Sequence, residues 1–112
     1  MSLFIDKSWK PLTPSEANTL SGQLGVYELG NEAGQTVYIG YAGGRSLFGL
    51  RGELGALAAS NAYGATRFRV EINMQYLSRW KELLMVHKAR DGALPPGNLL
   101  KPPQKLGRIH LT

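Results

Sequence analysis

Three stretches of the chain alternate apolar and polar residues with the period of two that marks a strand lying on a core. In "LGVYEL" and "QTVYIGY" β-branched and aromatic residues dominate, and "GNEAGQ" between them supplies turn residues, with Gly34 suited to positive φ. Together they predict a β-hairpin. Alternation puts Val37, Ile39 and Tyr41 on one face of the second strand and Thr36, Tyr38 and Gly40 on the other. The third stretch, "RFRVEINM", sends Phe68, Val70, Ile72 and Met74 one way and Arg67, Arg69, Glu71 and Asn73 the other. It predicts a half-buried strand antiparallel to the hairpin.

Other stretches carry the helical period. Leu47, Leu50, Leu54, Leu57 and Ala58 form one apolar stripe after "AGGRS", with Arg51 on its flank and Arg45 on the far side at or before the helix start. "SNAYG" ends that helix. A second helix is predicted from Leu77 to Arg90, stopping at Asp91-Gly92. Its apolar residues fall in two rows: Leu77, Trp80 and Leu84, then Met85, Val86 and Ala89 headed by Glu82. A carboxylate so placed is shielded from water and needs a cation or a donor. It is either a functional group or a structural one satisfied by Arg79 or Lys81. Upstream, "LTPSE" predicts a short helix with Thr13 as N-cap, Pro14 at the first helical position, Glu16 closing a capping box, and Leu12 and Ala17 as a staple.

At 112 residues, with 43% apolar and 19% charged residues, the chain fits a single soluble domain. We read residues 1–23 as a lead-in segment with a short helix, 24–98 as the domain, and 99–112 as a proline-containing basic tail. No apolar run approaches the ~20 residues of a membrane span, and the start does not read as a signal peptide. A cytoplasmic protein is expected. The absence of cysteine excludes disulfides and thiolate chemistry. His87 and His110 lack metal-ligand spacing and read as structural or surface residues. Thirteen Lys and Arg against eight Asp and Glu give a formal charge of +5, which favours a polyanionic partner such as nucleic acid.

The order of "GVY" and "YIG" on a hairpin, a helix with Arg51, a strand, a helix with Glu82, and then "PPGN" resembles the GIY-YIG nuclease superfamily from Gly25 to Asn98. "ELLMVHKARDGALPPGN" further looks like its small stand-alone members without an assigned substrate. The resemblance implies an α+β fold, a small three-stranded antiparallel sheet flanked by helices. It implies that Tyr27 and Tyr38 line a catalytic site, with Tyr38 similar to the proposed general base. Arg51 would face the scissile phosphate, Glu82 would hold one Mg²⁺ or Mn²⁺, and Asn98 would help close the site. Glu82 is then expected on the side of the sheet that carries the two tyrosines. A phosphodiesterase needs an activated water, a cation against developing charge and a Lewis acid. A tyrosine of ordinary pKa ≈ 10 serves as base only if its pKa is lowered.

The sequence departs from the superfamily pattern at three points. The loop after Gly40 is long, which leaves Arg45 as an alternative to Arg51. Gly55 stands where many active members have His or Tyr, and Tyr41 where some repair members have Lys. His87, Tyr63 and Tyr41 are the candidate substitutes. Two functions are therefore expected in order: a Mg²⁺-dependent endonuclease acting on nucleic acid, DNA ahead of RNA, and a catalytically weak or inactive module of the same fold that binds nucleic acid or protein. A third is an interaction protein using the proline-rich tail. A homodimer or another protein is a further expected partner.

Overall fold

The hairpin forms where the alternation requires it. In the computed structural model, which describes residues 4–60 and 62–100, strands β2 (Gly25–Gly30) and β3 (Thr36–Ala42) pair antiparallel, with Tyr27 opposite Gly40 and Leu29 opposite Tyr38. Asn31 organises the turn: its side-chain oxygen accepts from the backbone N–H groups of Ala33 and Gln35, each at 3.0 Å. Gly34 takes φ 82° there, a conformation open to glycine. Strand β4 (Arg67–Ile72) adds to the free side of β2, with Glu28 opposite Arg69.

With β1 (Lys10–Pro11) the sheet has four strands, in the order β1-β4-β2-β3, and not three. The extra strand pairs with Arg67 and Phe68 at the edge of β4. Two residues have no readable period, and proline is tolerated because the strand lies at an edge. The fold is otherwise the expected α+β arrangement of an antiparallel sheet flanked by helices. Thr13 caps α1 (Pro14–Ala17), accepting from the Glu16 N–H at 3.2 Å. The Thr13 N–H itself goes to the Pro11 carbonyl.

Helices cover both faces. Helix α2 (Gly49–Ser60) lies on one, burying Leu50 and Leu54 against Tyr27, Leu29, Ala42 and Phe68, with α1 beside it. Helix α3 (Tyr76–Asp91) lies on the other, where Trp80, Leu83 and Leu84 meet Val26, Ile39 and Ile5. Three sequence expectations change here. Leu47 belongs to the turn before α2 and is 80% exposed. Helix α3 buries one face rather than two: Trp80, Leu83, Leu84 and His87 at i, i+3, i+4 and i+7 point inward, and Met85 is exposed. A bulge at Val37, opposite the step from Leu29 to Gly30, also swings that residue from the Ile39 face into the α2 core.

The short helix α4 (Pro96–Leu100) closes the outer edge of β3. No helix among the described residues is long and apolar enough to cross a membrane. Residues 101–112, with most of the predicted tail and His110, lie outside the described residues.

Candidate functional site

The residues expected to form one site are divided between the two sides of the sheet. Tyr27 and Tyr38 come together as their register requires, on the α2 face, with ring centroids 6.1 Å apart. Gly40 makes this closeness affordable: a Cβ there would collide with the Tyr27 hydroxyl and approach Tyr38 Cε2 to 2.7 Å. Tyr63, in the turn after α2, stacks on Tyr38 at 4.5 Å with ring planes 10° apart. It holds a φ of 59°, unusual for a residue with a side chain.

The carboxylate on this face is Glu53 of α2. The Tyr27 hydroxyl donates to it at 3.5 Å and the Ser46 hydroxyl at 3.4 Å. These are long bonds, so the group is held loosely. Burial pushes the Tyr27 phenol well above its ordinary pKa, reinforced by Tyr38 and Glu53. Tyr38 is pushed up to about 12, by burial first and then by Tyr63 and Glu53. At pH 7 that leaves about one phenolate in 10⁵ molecules. The environment therefore moves Tyr38 away from the lowered pKa that a base at neutral pH needs.

Glu82 is on the other side. Helix α3 packs on the face of Val26 and Ile39, and the sheet stands between Glu82 and the tyrosines. Its carboxylate accepts from Arg79 Nη1 at 2.6 Å, while Arg79 Nε and Nη2 bind the two oxygens of Glu71 at 2.9 and 3.1 Å. Arg79 also reaches the Phe4 carbonyl. Burial works against its charge, but the bonds to Glu71 and Glu82 outweigh it, and the pKa of Arg79 stands above its ordinary value. Lys7 and Asp6 join these three residues around a depression of about 420 Å³.

The expected position of Glu82 is thus corrected. The helix period shows that one side of α3 is buried, but not which face of the sheet receives it. Glu82 is bound to Arg79 and Glu53 lies across the sheet from it, and no cluster of three or more His, Asp or Glu side chains that could hold a metal occurs among the described residues.

Asn98 is buried, and its amide is spent on the backbone. Its side-chain oxygen accepts from the Ile39 N–H at 2.8 Å and its nitrogen donates to the Ile39 carbonyl at 2.9 Å. It supplies the hydrogen bonds that a fifth strand would give the edge of β3. Trp80 Nε1 donates to the same carbonyl at 2.9 Å. His87 is also structural. It is 7% exposed and lies within 3.2 Å of the Ala93 carbonyl and 3.0 Å of Asp91 at the end of α3. Tyr41 packs on Tyr76 and Trp80 on the α3 face, where burial raises its pKa.

Arg51, which is exposed, does not line the tyrosine pair but a separate shallow depression, with Asn18, Phe48, Gly52, Gly55 and Ala56. Arg45 is exposed in the turn before α2. That turn is unusual. Phe48 and Gly49 both have positive φ, 63° and 57°. Gly49 is forced by the carbonyls of Gly22 and Gln23, which any Cβ would strike. Phe48 follows the same path although its ring is 68% exposed. Sequence reasoning passed over Phe48 because, as one apolar residue beside an apolar stripe, it reads as core.

It also missed a buried ion pair. Glu28 is 2% exposed at the centre of the sheet, and Arg69 Nε reaches it at 2.6 Å from the adjacent strand. Arg69 lies over the Trp9 ring, 4.1 Å from its centroid, and bonds the Lys7 carbonyl. The only available signal was the pair of charged residues at matching positions of two strands.

No curated protein matches the chain. Residues 1–90 match the domain of unknown function DUF7508, and the chain belongs to that family.

Proposed function

We propose that this DUF7508 domain is a module that binds nucleic acid without cutting it, built on a GIY-YIG-like framework whose site residues serve the fold. The observation that carries the reading is where the charge is spent. Glu28 pairs with Arg69, and Glu71 and Glu82 pair with Arg79, while Glu53 beside the tyrosines accepts from Tyr27 and Ser46. Lys7, Lys10, Arg45, Arg51, Lys81 and Lys88 are exposed and in no ion pair among the described residues. Cations left in water on a chain of net charge +5 suit the phosphate backbone. Against catalysis stand the raised pKa of Tyr38, the amide of Asn98 bound on both sides, and the sheet between Glu82 and the tyrosines.

The test is a pair of assays on the full chain. Labelled DNA and RNA, titrated by fluorescence anisotropy, should bind. If about six phosphates are neutralised, affinity should fall on the order of a thousandfold between 50 and 200 mM salt. Supercoiled plasmid and single-stranded RNA, incubated with Mg²⁺ or Mn²⁺, should remain intact. A flat salt response or no binding overturns the reading. Metal-dependent cleavage that vanishes in Glu53→Gln would replace it with a nuclease whose carboxylate is Glu53, the one that faces the tyrosines.

A further inference from the structure

The depression beside Phe48 differs from the rest of the surface in three ways that converge. The first is the cost of its wall. A bulky residue in the left-handed region is disfavoured by the clash of its Cβ with the backbone, and the Phe48 side chain recovers little by burial because 68% of it remains in water. Leu47 next to it is 80% exposed. The second is the floor. Gly55 and Ala56 present almost no side chain, and a Cβ at Gly55 would meet nothing within 4 Å, so the space above it is open; Gly52 beside them is covered by the Leu47 carbonyl and the base of Phe48. The third is charge. Arg51 lines the depression, Arg45 is exposed in the same turn as Phe48, and none of the lining residues is acidic. The depression around Arg79, by contrast, has Asp6, Glu71 and Glu82 in its walls.

An exposed aromatic ring, a flat open floor and cations at the rim are what a single strand of nucleic acid uses. Its unpaired bases stack on aromatic faces while its phosphates follow basic side chains. A duplex keeps its bases stacked on each other and has no use for the ring. Resting on the nucleic-acid reading above, we infer that the domain binds single-stranded nucleic acid in the Phe48 depression. A base stacks on the Phe48 ring over Gly55, Arg51 and Arg45 hold the flanking phosphates, and Asn18 faces the base edge across the floor. The depression is shallow, about 330 Å³, and one side chain can fill it.

That last point supplies a test that separates binding from folding. Gly55→Leu removes a helix-interior glycine and places its side chain in open space, so the variant should melt no lower than wild type. It should also occupy the place of the base. Labelled twelve-residue oligo-dT and oligo-U, and a duplex of the same length, would be titrated by anisotropy at 50 mM salt with wild type, Gly55→Leu, Phe48→Ala and Phe48→Trp. The expected result is that wild type prefers the single strands. Gly55→Leu and Phe48→Ala should weaken them roughly five- to a hundredfold, the range found for loss of one stacked base. Phe48→Trp should retain them, and weak duplex binding should stay the same in all four.

Equal single-strand affinity in wild type, Gly55→Leu and Phe48→Ala overturns the inference while leaving a general nucleic-acid module standing. So does wild-type preference for the duplex. Capture of a glutamate oligomer as tightly as oligo-dT would make the depression a general anion patch, and a Phe48-dependent dimer seen by light scattering would make it a self-association surface. Either overturns it. Wild type that binds no nucleic acid at all removes the broader reading together with this one.

Discussion

The two faces of the sheet hold similar chemistry and treat it in opposite ways. On the α3 face, charge is introduced and then closed. Glu28 meets Arg69 directly across two strands, and Arg79 gathers Glu71 and Glu82. On the α2 face the buried polar groups are neutral phenols grouped around one loosely held carboxylate, Glu53. The cations there, Arg45 and Arg51, stay at the rim in water. A charge already paired inside a protein has little left to offer a partner, because separating it exposes a desolvated group. A charge at the rim keeps its full attraction for a polyanion. The paired charges on the α3 face therefore serve the fold, and on the reading proposed above the rim of the α2 face is where a single strand would be held.

The largest expected effect breaks the closed side of this comparison. Glu28→Ala leaves Arg69 facing the sheet interior without its partner. Removing one member of a buried pair costs about 3–5 kcal/mol. The low end is expected, because Arg69 is 21% exposed and keeps Trp9 and the Lys7 carbonyl. Urea unfolding should show this loss, with a matching fall in the midpoint. A change under 1 kcal/mol would mean that the pair is solvated and the face less closed than its geometry.

How much of this was legible in the sequence depends on whether a feature has a period. The hairpin, β4, α2 and α3 do, and they appear where alternation and the helical repeat put them. The Thr13 cap and Gly34 carry local chemistry that is read residue by residue. β1 has no period, since it is two residues long and exists because the edge of β4 was open. The site failed for a different reason. Tyr27 and Tyr38 were brought together by register, which strand alternation encodes. The layer occupied by Glu82 depends on how the chain leaves β4 and which face α3 covers, and no pattern within α3 records that. Glu53 was overlooked because a polar residue between the leucines of an amphipathic helix reads as solvent-facing. It turns inward because Tyr27 and Ser46 are there to bond it.

The next effect is a pH dependence on the tyrosine face. In the unfolded chain a tyrosine ionises near pH 10, whereas Tyr38 in the fold does so at about 12. Between these values the unfolded state has lost its proton and the native state has kept it. Stability is thus fully present below pH 10 and falls as the pH rises toward 12. Tyr27, also raised by its burial, adds to the same fall. Tyr38→Phe removes one contributor beside Tyr27 and Tyr41, so its urea midpoint should decline less steeply than that of wild type from pH 10 to 12. Parallel curves would show that the Tyr38 phenol ionises normally and that this face is wetter than its packing.

The smallest effect is the sharpest test of the division between faces, because it concerns the residue that the sequence placed at the centre of a metal site. Glu82 shares the Arg79 guanidinium with Glu71, but its side chain is 41% exposed, against 2% for Glu28. Glu82→Gln keeps the shape and a hydrogen-bonding oxygen, and Arg79 retains both oxygens of Glu71. A half-exposed ion pair of this kind is worth under about 1 kcal/mol. The variant should melt close to wild type and bind single strands with unchanged affinity, since its carboxylate lies across the sheet from Phe48 and the α2 rim. Glu28→Ala and Glu82→Gln thus alter carboxylates of one face, each bound to an arginine, and differ in burial. A large difference in unfolding free energy between them would show that burial sets the strength of the pairs. If instead Glu82→Gln abolished a metal-dependent activity of the wild-type chain at unchanged stability, the α3 face would hold chemistry as well as architecture, and the contrast between the two faces would no longer stand.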